Sequence, residues 1–364
     1  MENNTITRIG NKISPVYISG NPQKDFKRLW QLHVGSHLKT PVVLLADKKV
    51  YSLHKNLIDN LLSSIKIEII DTEMLEAGEG IKQLSVAESI ISKWSSLSVP
   101  KNTVVLCIGG GTITDLGGFA ASVFKRGLRL INIPSSLMAM TDASIGGKNA
   151  LNLGAIKNQI GTFHLPLFTF STPVFLNSLP AIEMASGYAE IMKHGLLEGK
   201  NFLRNILKSN NLETAPSTAL LTASVRIKMH IVTTDPNEKS NRIFLNLGHT
   251  FGHAYEGFFA ASGNPITHGH SVAIGLCEIL QASKSIYGLD LKAMNDVETW
   301  IKMHFSISSI PSWEEIEKFI AGDKKNVSEI YRIVLLKKVG SPIIKKMNKA
   351  ELISIHKNFR LSID

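Results

Sequence analysis

Along the first half of the chain, short runs of β-branched and aliphatic residues alternate with segments whose apolar positions recur at helical spacing. Residues 41–46, 65–70, 103–108 and 128–133 read as strands, and 85–97 and 115–124 as helices between them. Alternation of this kind predicts a mostly parallel sheet with helices on both faces. From Pro180 onward the pattern changes. Long amphipathic segments dominate at 182–197, 214–234, 249–259 and 270–287, and only 331–336 reads clearly as a strand. The Pro-rich connection at 171–180 marks the change. The expected organisation is an α/β domain over residues 1–178 and a mainly α-helical domain over 179–364. No internal repeat or low-complexity tract interrupts either half.

A chain of 364 residues with 44% hydrophobic positions can bury more than one core, which excludes wholesale disorder. The balance of 40 Lys+Arg against 30 Asp+Glu gives a net charge of +10. Such a surface suits nucleic acid, a membrane or an anionic small molecule. No segment is a dense basic block, and six Tyr and four Trp offer little base stacking, so the small molecule is preferred and no nucleic acid partner is expected. The pairs Lys337-Lys338 and Lys345-Lys346 read as solvated surface. Cys107 and Cys277 lie in apolar runs and read as buried, reduced thiols of a cytoplasmic protein. The start MENNTITRIGNK lacks the apolar centre of a secretory leader. The longest stretch without Asp, Glu, Lys or Arg, 158–182, contains three prolines and His164, so no membrane span is expected.

Three groups of residues carry candidate chemistry. The first is the run CIGGGTITDLGG, which follows a strand and opens a helix. Its glycines Gly109, Gly110 and Gly111 let backbone approach a bulky anion, and the free N–H groups of the helix start favour a pyrophosphate. A tight structural turn would use the same residues. Asp115 in the first helical turn suits either a plain dipole-favourable residue or a hydrogen bond to a ribose or nicotinamide group, and Glu79 after the second strand suits either a ribose contact or an ordinary loop-end pair with Lys82. Asp47 closes the first strand and equally suits a plain turn. The second group is metal-like. His249 and His253 are four residues apart on one helix face, His268 and His270 follow within 21 residues of His249, and Glu190 is a lone carboxylate in an apolar helical segment. One Glu and two His make a catalytic zinc set, and spacing does not decide between His249 and His253. The third group is basic: Lys148, Lys157, Lys193, Arg226, Lys228 and Arg242, with Asp142, Asn158 and Asn246 among them. Singly each suits a solvated position; together with the glycine loops they suit a pocket for a multiply charged substrate.

The runs GGGTITDLGGFAASVFKRG, PSSLMAMTDASIGGKNA, KNQIGTFHLP, SGYAEIMKHG, NLGHTFGHAYE and HGHSVAIGL closely resemble 3-dehydroquinate synthases, among the sugar phosphate cyclases. The resemblance extends in order over residues 47–325. It implies a nucleotide-binding α/β domain, a helical domain and a homodimer. It also implies tightly held NAD and a divalent metal, normally zinc with cobalt as an alternative, on Glu190, His249 and His268. The implied reaction cyclises 3-deoxy-D-arabino-heptulosonate 7-phosphate to 3-dehydroquinate with loss of phosphate. By motif position, Asp142, Lys148, Asn158, Lys193, Lys228, Arg242, Asn246, His253 and a lysine of Lys324-Lys325 would line the substrate. Arg126 would reach its phosphate across the dimer interface. Asp47, Glu79, Lys82, Gly110, Gly111, Asp115, Ser135, Ser136, Lys148, Lys157 and Ser178 would contact NAD.

Three positions depart from the family pattern. His270 stands where Glu is usual, Asn149 where Thr is usual, and Ser135-Ser136 where Thr-Thr is usual. His270 is expected to add charge near the metal or to change the bonding of His268. The competing readings are a sister cyclase of the 2-deoxy-scyllo-inosose or 2-epi-5-epi-valiolone synthase type, a metal-dependent alcohol dehydrogenase of the glycerol dehydrogenase type, and an inactive paralogue. Arg242 and Asn246 argue against the sister cyclases, whose substrates carry no carboxylate; the substrate-facing lysines argue against the dehydrogenase; intact Glu190, His249 and His268 argue against decay.

Overall fold

The computed structural model describes residues 6–9, 14–35, 39–154, 156–307, 309–321 and 330–363. It divides into two compact units, residues 1–180 with 215–233, and residues 181–214 with 234–364.

The first unit is built on a seven-stranded sheet. Its strands are β1 (Ile6–Ile9), β2 (Val16–Ser19), β3 (Thr40–Asp47), β4 (Ile67–Leu75), β5 (Val104–Gly109), β6 (Arg129–Pro134) and β9 (Phe168–Ser171), in the order β1-β2-β9-β6-β5-β3-β4. Only β1 and β2 are antiparallel; every other neighbour is parallel. The interior strand β5 is buried at all six positions, as a strand covered on both faces requires. Val43, Leu45, Val105 and Cys107 turn one way, onto Ala87, Ile90 and Trp94 of α4 (Leu84–Ser96) and Ile113 and Leu116 of α5 (Gly111–Val123). Val42 and Leu44 alternate to the other face and are equally buried. The helices α1 (Pro22–His33), α2 (Lys48–Leu53) and α3 (Lys55–Ser63) join the strands in the early part of this unit's sequence.

The four strands expected in the first half are present within a few residues. The short strands β1, β2 and β9 and the antiparallel hairpin of β7 (Lys148–Leu153) and β8 (Ile156–Phe163) carry too little periodicity to show in the sequence. Helix α5 begins four residues before the expected start, inside the glycine turn. Two of its glycines are demanded by packing. A Cβ at Gly117 would lie 2.2 Å from Cys107 Sγ, and one at Gly118 would lie 1.9 Å from Asn149 Oδ1. Asn149 cannot step aside, because its amide donates to the carbonyls of Gly147 at 3.0 Å and His164 at 3.1 Å. Asn149 therefore closes the β7–β8 hairpin. Helix α8 (Thr218–Thr234), although late in the sequence, lies in this unit through residue 233.

The second unit is mainly helical: α6 (Ala181–Glu198), α7 (Lys200–Leu207), α9 (His249–Ala261), α10 (His268–Tyr287), α11 (Leu291–His304), α12 (Trp313–Ala321) and α13 (Lys349–Ile363). An antiparallel hairpin, β10 (Ile330–Lys338) with β11 (Ser341–Asn348), packs on α10. Of these two strands only β10 is legible in the sequence; β11 carries Lys345 and Lys346 in a half-buried run without clean alternation. Glycines bring three helices into backbone contact. A Cβ at Gly269 of α10 would lie 2.1 Å from Ser186 O of α6, and one at Gly275 would lie 2.1 Å from Gly248 O at the start of α9. Gly248 itself has φ +79°, a left-handed backbone that favours glycine. Among the described residues, no helix is long and apolar enough to cross a membrane.

Candidate active site

The close approach of α6, α9 and α10 decides what meets inside the second unit. Glu190 of α6 is fully buried, and its Oε1 lies 3.4 Å from His249 Nε2 and 3.6 Å from His268 Nε2. Each histidine is anchored through its other nitrogen. His249 Nδ1 lies 3.1 Å from the Leu247 carbonyl, which can only accept, so Nδ1 carries the proton. His268 Nδ1 lies 3.1 Å from Glu256 Oε2 and donates to that carboxylate. Both rings therefore present Nε2 to one oxygen. Ligand atoms of tetrahedral zinc, bound at ~2.0–2.1 Å, lie roughly 3.3–3.4 Å apart, close to the two separations from Glu190 Oε1. His253 completes a three-histidine cluster with His249 and His268, its ring centroid 5.2 Å from that of His249. Lys193, buried one turn along α6, is ion-paired with Glu190.

The electrostatics follow from burial and charge. Burial alone would raise the Glu190 carboxyl, but Lys193, His249 and His268 override it and hold it well below the usual carboxylate range. Burial, reinforced by Lys193, pushes His249 down to about 3, which leaves it neutral and able to ligate. His268 is driven upward despite its burial, because carboxylates face both of its nitrogens. One carboxylate and two histidines that turn Nε2 toward it are residue types that could hold a divalent ion.

Arg242 lies on the turn at Asn241–Asn246 that leads into α9, and is 2% exposed. Its loop is organised by Asp235, whose carboxylate accepts backbone N–H groups of Lys239 (2.9 Å), Ser240 (2.7 Å) and Arg242 (2.9 Å). Burial works against that carboxylate, yet the donors hold it at about 2. Arg242 Nη1 donates to Pro236 O at 2.6 Å. Asn246 ends the same turn, half-buried. His270 does not reach His268: its Nε2 donates to the Ser306 carbonyl at 2.8 Å and its ring lies against Phe305. Burial lowers its pKa, so the added charge near the metal that the sequence suggested does not arise.

In the first unit a second network forms at the C-terminal side of the sheet. Lys82 is buried and donates to Asp115 at 2.6 Å and to Asn158 Oδ1 at 2.7 Å. Asn152 links this group to Glu79: its amide donates to Glu79 Oε2 at 2.9 Å, while its Oδ1 accepts from Asn158 N at 3.0 Å. Burial raises the Asp115 carboxyl to about 6 even though Lys82 opposes the shift. Gly110 caps α5, and a Cβ there would meet only Ser136, with Oγ nearest at 3.5 Å, an ordinary contact. Neither its backbone nor its neighbours require glycine, unlike Gly117 and Gly118. Asp142 sits in a turn of π-helix, Ala139–Ala143, and pairs at 2.7 Å with Lys228 from α8. Asp47 caps α2 by accepting from Lys49 N at 2.9 Å and Val50 N at 3.1 Å. Ser178 Oγ is 2.6 Å from His54 Nε2. Ser135 is buried beside Gly109, Lys148 and Lys157 are exposed on β7 and β8, and Arg126 sits in a left-handed turn with φ +62°. Lys324 and Lys325 lie outside the described residues.

Sequence reasoning missed Glu256, Asp235, Asn152 and His54. Glu256 was detectable, lying seven residues after His249 and three after His253, on their face of α9. The other three act through loop geometry that no spacing rule encodes.

Comparison with known proteins gives this arrangement a family. Models of the N-terminal and C-terminal regions of 3-dehydroquinate synthase match residues 72–186 and 187–326. The 3-dehydroquinate synthase of Parabacteroides distasonis is 33% identical over 321 residues, 87% of this chain and 90% of that protein. The chain belongs to the 3-dehydroquinate synthase family. It is thus a sugar phosphate cyclase of that family, in agreement with the resemblance carried by its motifs. The fold recurs in the 2-epi-5-epi-valiolone synthase of Streptomyces hygroscopicus with NAD+ and Zn2+ bound (TM-score 0.85, 20% identity, 98% of this chain and 99% of that one). It recurs also in a 2-deoxy-scyllo-inosose synthase complexed with carbaglucose-6-phosphate, NAD+ and Co2+ (TM-score 0.80, 20% identity, 97% and 99%).

Proposed function

We propose that the protein cyclises 3-deoxy-D-arabino-heptulosonate 7-phosphate to 3-dehydroquinate, releasing phosphate, with NAD and a divalent metal, normally zinc, as cofactors. The observation that carries this reading is the convergence of Glu190, His249 and His268, each histidine held with Nε2 toward Glu190 Oε1. When bound, NAD would take and return a hydride, and the metal would polarise the hydroxyl being oxidised. The chain's own residues do the rest. Glu190 supplies the anionic ligand, and Lys193 offsets its charge. Arg242 takes the substrate carboxylate, a planar group that its guanidinium can meet with two parallel bonds. Lys148, Asn158 and Arg126 take the tetrahedral phosphate, and Asp142 is fixed by Lys228 at a site of hydroxyl contact. After oxidation the neighbouring C–H is acidic and the departing phosphate can accept its proton, so rigid positioning matters more than a strong base.

Lys82 orients Asp115 as an acceptor for the nucleotide, and Glu79, steadied by Asn152, faces a ribose. Gly110 keeps space for the pyrophosphate at the start of α5. Because an added methyl at 110 meets no protein atom closely, Gly110→Ala should leave the melting temperature of the NAD-free protein unchanged. It should weaken NAD binding by about tenfold or more, ~1.4 kcal/mol, as read by titration calorimetry. Parental NAD affinity in that variant would make the turn merely structural. The same reading makes the protein a cytoplasmic homodimer of the shikimate pathway. Its direct test is phosphate release from the heptulosonate phosphate with NAD and zinc. Turnover is expected there and not with sugar phosphates that lack a carboxylate; the reverse preference would assign the chain to a sister reaction.

A further inference from the structure

The two histidines of the metal-like set are held in different ways. His249 is anchored by the carbonyl of Leu247, two residues away in its own chain segment, so its tautomer is set by the backbone. His268 is the first residue of α10, with a side chain 34% exposed and a carboxylate rather than a carbonyl at its Nδ1. That carboxylate is Glu256, buried at 6% exposure and 3.1 Å away. Glu256 reaches that place because α9 carries His249, His253 and Glu256 at spacings of four and three residues, on one face. A short helix face thus supplies both a metal-like ligand and the group that aligns the ligand on the next helix.

We propose that Glu256 is a positioning residue of this centre: it keeps the proton of His268 on Nδ1 and turns Nε2 toward Glu190, so that the third ligand is preformed. This rests on the reading that Glu190, His249 and His268 hold the metal. An imidazole that donates through Nδ1 to a carboxylate is fixed in orientation and becomes a more basic ligand, and removal of such a partner typically weakens metal binding about 10–100-fold. The role is separable from bulk stability, because a neutral acceptor of the same shape restores the tautomer without the charge. Glu256 touches neither substrate nor cofactor in this scheme.

The experiment measures zinc affinity of the full-length protein by chelator competition, and the visible absorption of the cobalt-substituted protein, for the parent, Glu256→Ala, Glu256→Gln and His268→Ala. Circular dichroism and NAD binding check that each variant is folded. Glu256→Ala should bind zinc roughly 10–100-fold more weakly and shift the cobalt bands. Glu256→Gln should recover most of the affinity and a cobalt spectrum near the parental one. His268→Ala should lose more than either. If His268→Ala binds zinc like the parent, the ligand reading itself is wrong and the proposal falls with it. If His268→Ala loses zinc while Glu256→Ala keeps parental affinity and an unshifted spectrum, the ligand reading stands and the positioning role is overturned. Should Glu256→Ala prove unfolded, the decision passes to Glu256→Gln. A folded Gln variant with zinc affinity as poor as that of His268→Ala would overturn the tautomer argument.

Discussion

Changing Glu190 to Gln, or His249 to Ala, is expected to bring bound zinc below one per chain and to cut cyclisation by about 10³-fold or more, ~4 kcal/mol of transition-state stabilisation. Glu190→Gln is nearly isosteric, so a loss cannot be assigned to a cavity. It removes the negative charge that Lys193, His249 and His268 share, in a position with no solvent exposure. A divalent ion would then face two imidazoles and a lysine without an anionic ligand. His249→Ala removes the histidine whose neutral form is secured by burial and whose Nε2 is aimed by Leu247. Both variants should bind NAD as the parent does, because Lys82, Asp115 and Gly110, which we propose meet the nucleotide, belong to the other compact unit. Metal content by elemental analysis and phosphate release together check the outcome. Full zinc occupancy in both variants would reject the ligand assignment.

The parallel sheet and the helical second half were readable because their signals are local and periodic. Apolar runs such as VVLCIG are buried at every position, and amphipathic segments such as 182–197 recur as helices nearly residue for residue. The shared face of His249 and His253 was readable for another reason: histidines at i and i+4 project from one side of a helix, whatever the fold around them, although spacing alone does not bring Glu190 or His268 to them. Other features depend on contacts between distant segments. Asn149 matters because the backbone of Gly118 comes within reach of its side chain, and nothing in the run SIGGKNA announces that. Asn152 acts by bridging Glu79 and Asn158, which lie 73 and 6 residues away. The placement of residues 215–233 with the first unit is likewise invisible in a segment whose pattern is an ordinary amphipathic helix. His270 shows the opposite failure. Proximity in sequence to His268 suggested an effect on the metal. Successive residues of a helix point about 100° apart, however, so the ring two positions further along faces Ser306 instead.

Substrate choice supplies the second large effect. Arg242→Lys is expected to raise KM for the heptulosonate phosphate and lower kcat/KM by roughly 10–100-fold, ~1.4–2.7 kcal/mol for a charge-assisted hydrogen bond removed from a buried position. A guanidinium can donate one N–H to the Pro236 carbonyl, as it does at 2.6 Å, and still turn a second edge toward a planar carboxylate. An ammonium in the same place is a point charge that cannot reproduce the parallel pair. The loop should survive the change, because Asp235 grips the backbone N–H of residue 242 rather than its side chain, and grips residues 239 and 240 as well. With its carboxyl held at about 2 by these donors, Asp235 stays ionised at the pH of an ordinary assay and keeps its acceptor role there. NAD and zinc affinities should therefore remain parental, which separates a weakened grip on the substrate from a collapsed site. An Arg242→Lys protein with parental kcat/KM would detach this residue from the carboxylate. So would a wild-type protein that turns over carboxylate-free sugar phosphates equally well, and either result would move the preferred substrate toward the sister cyclases.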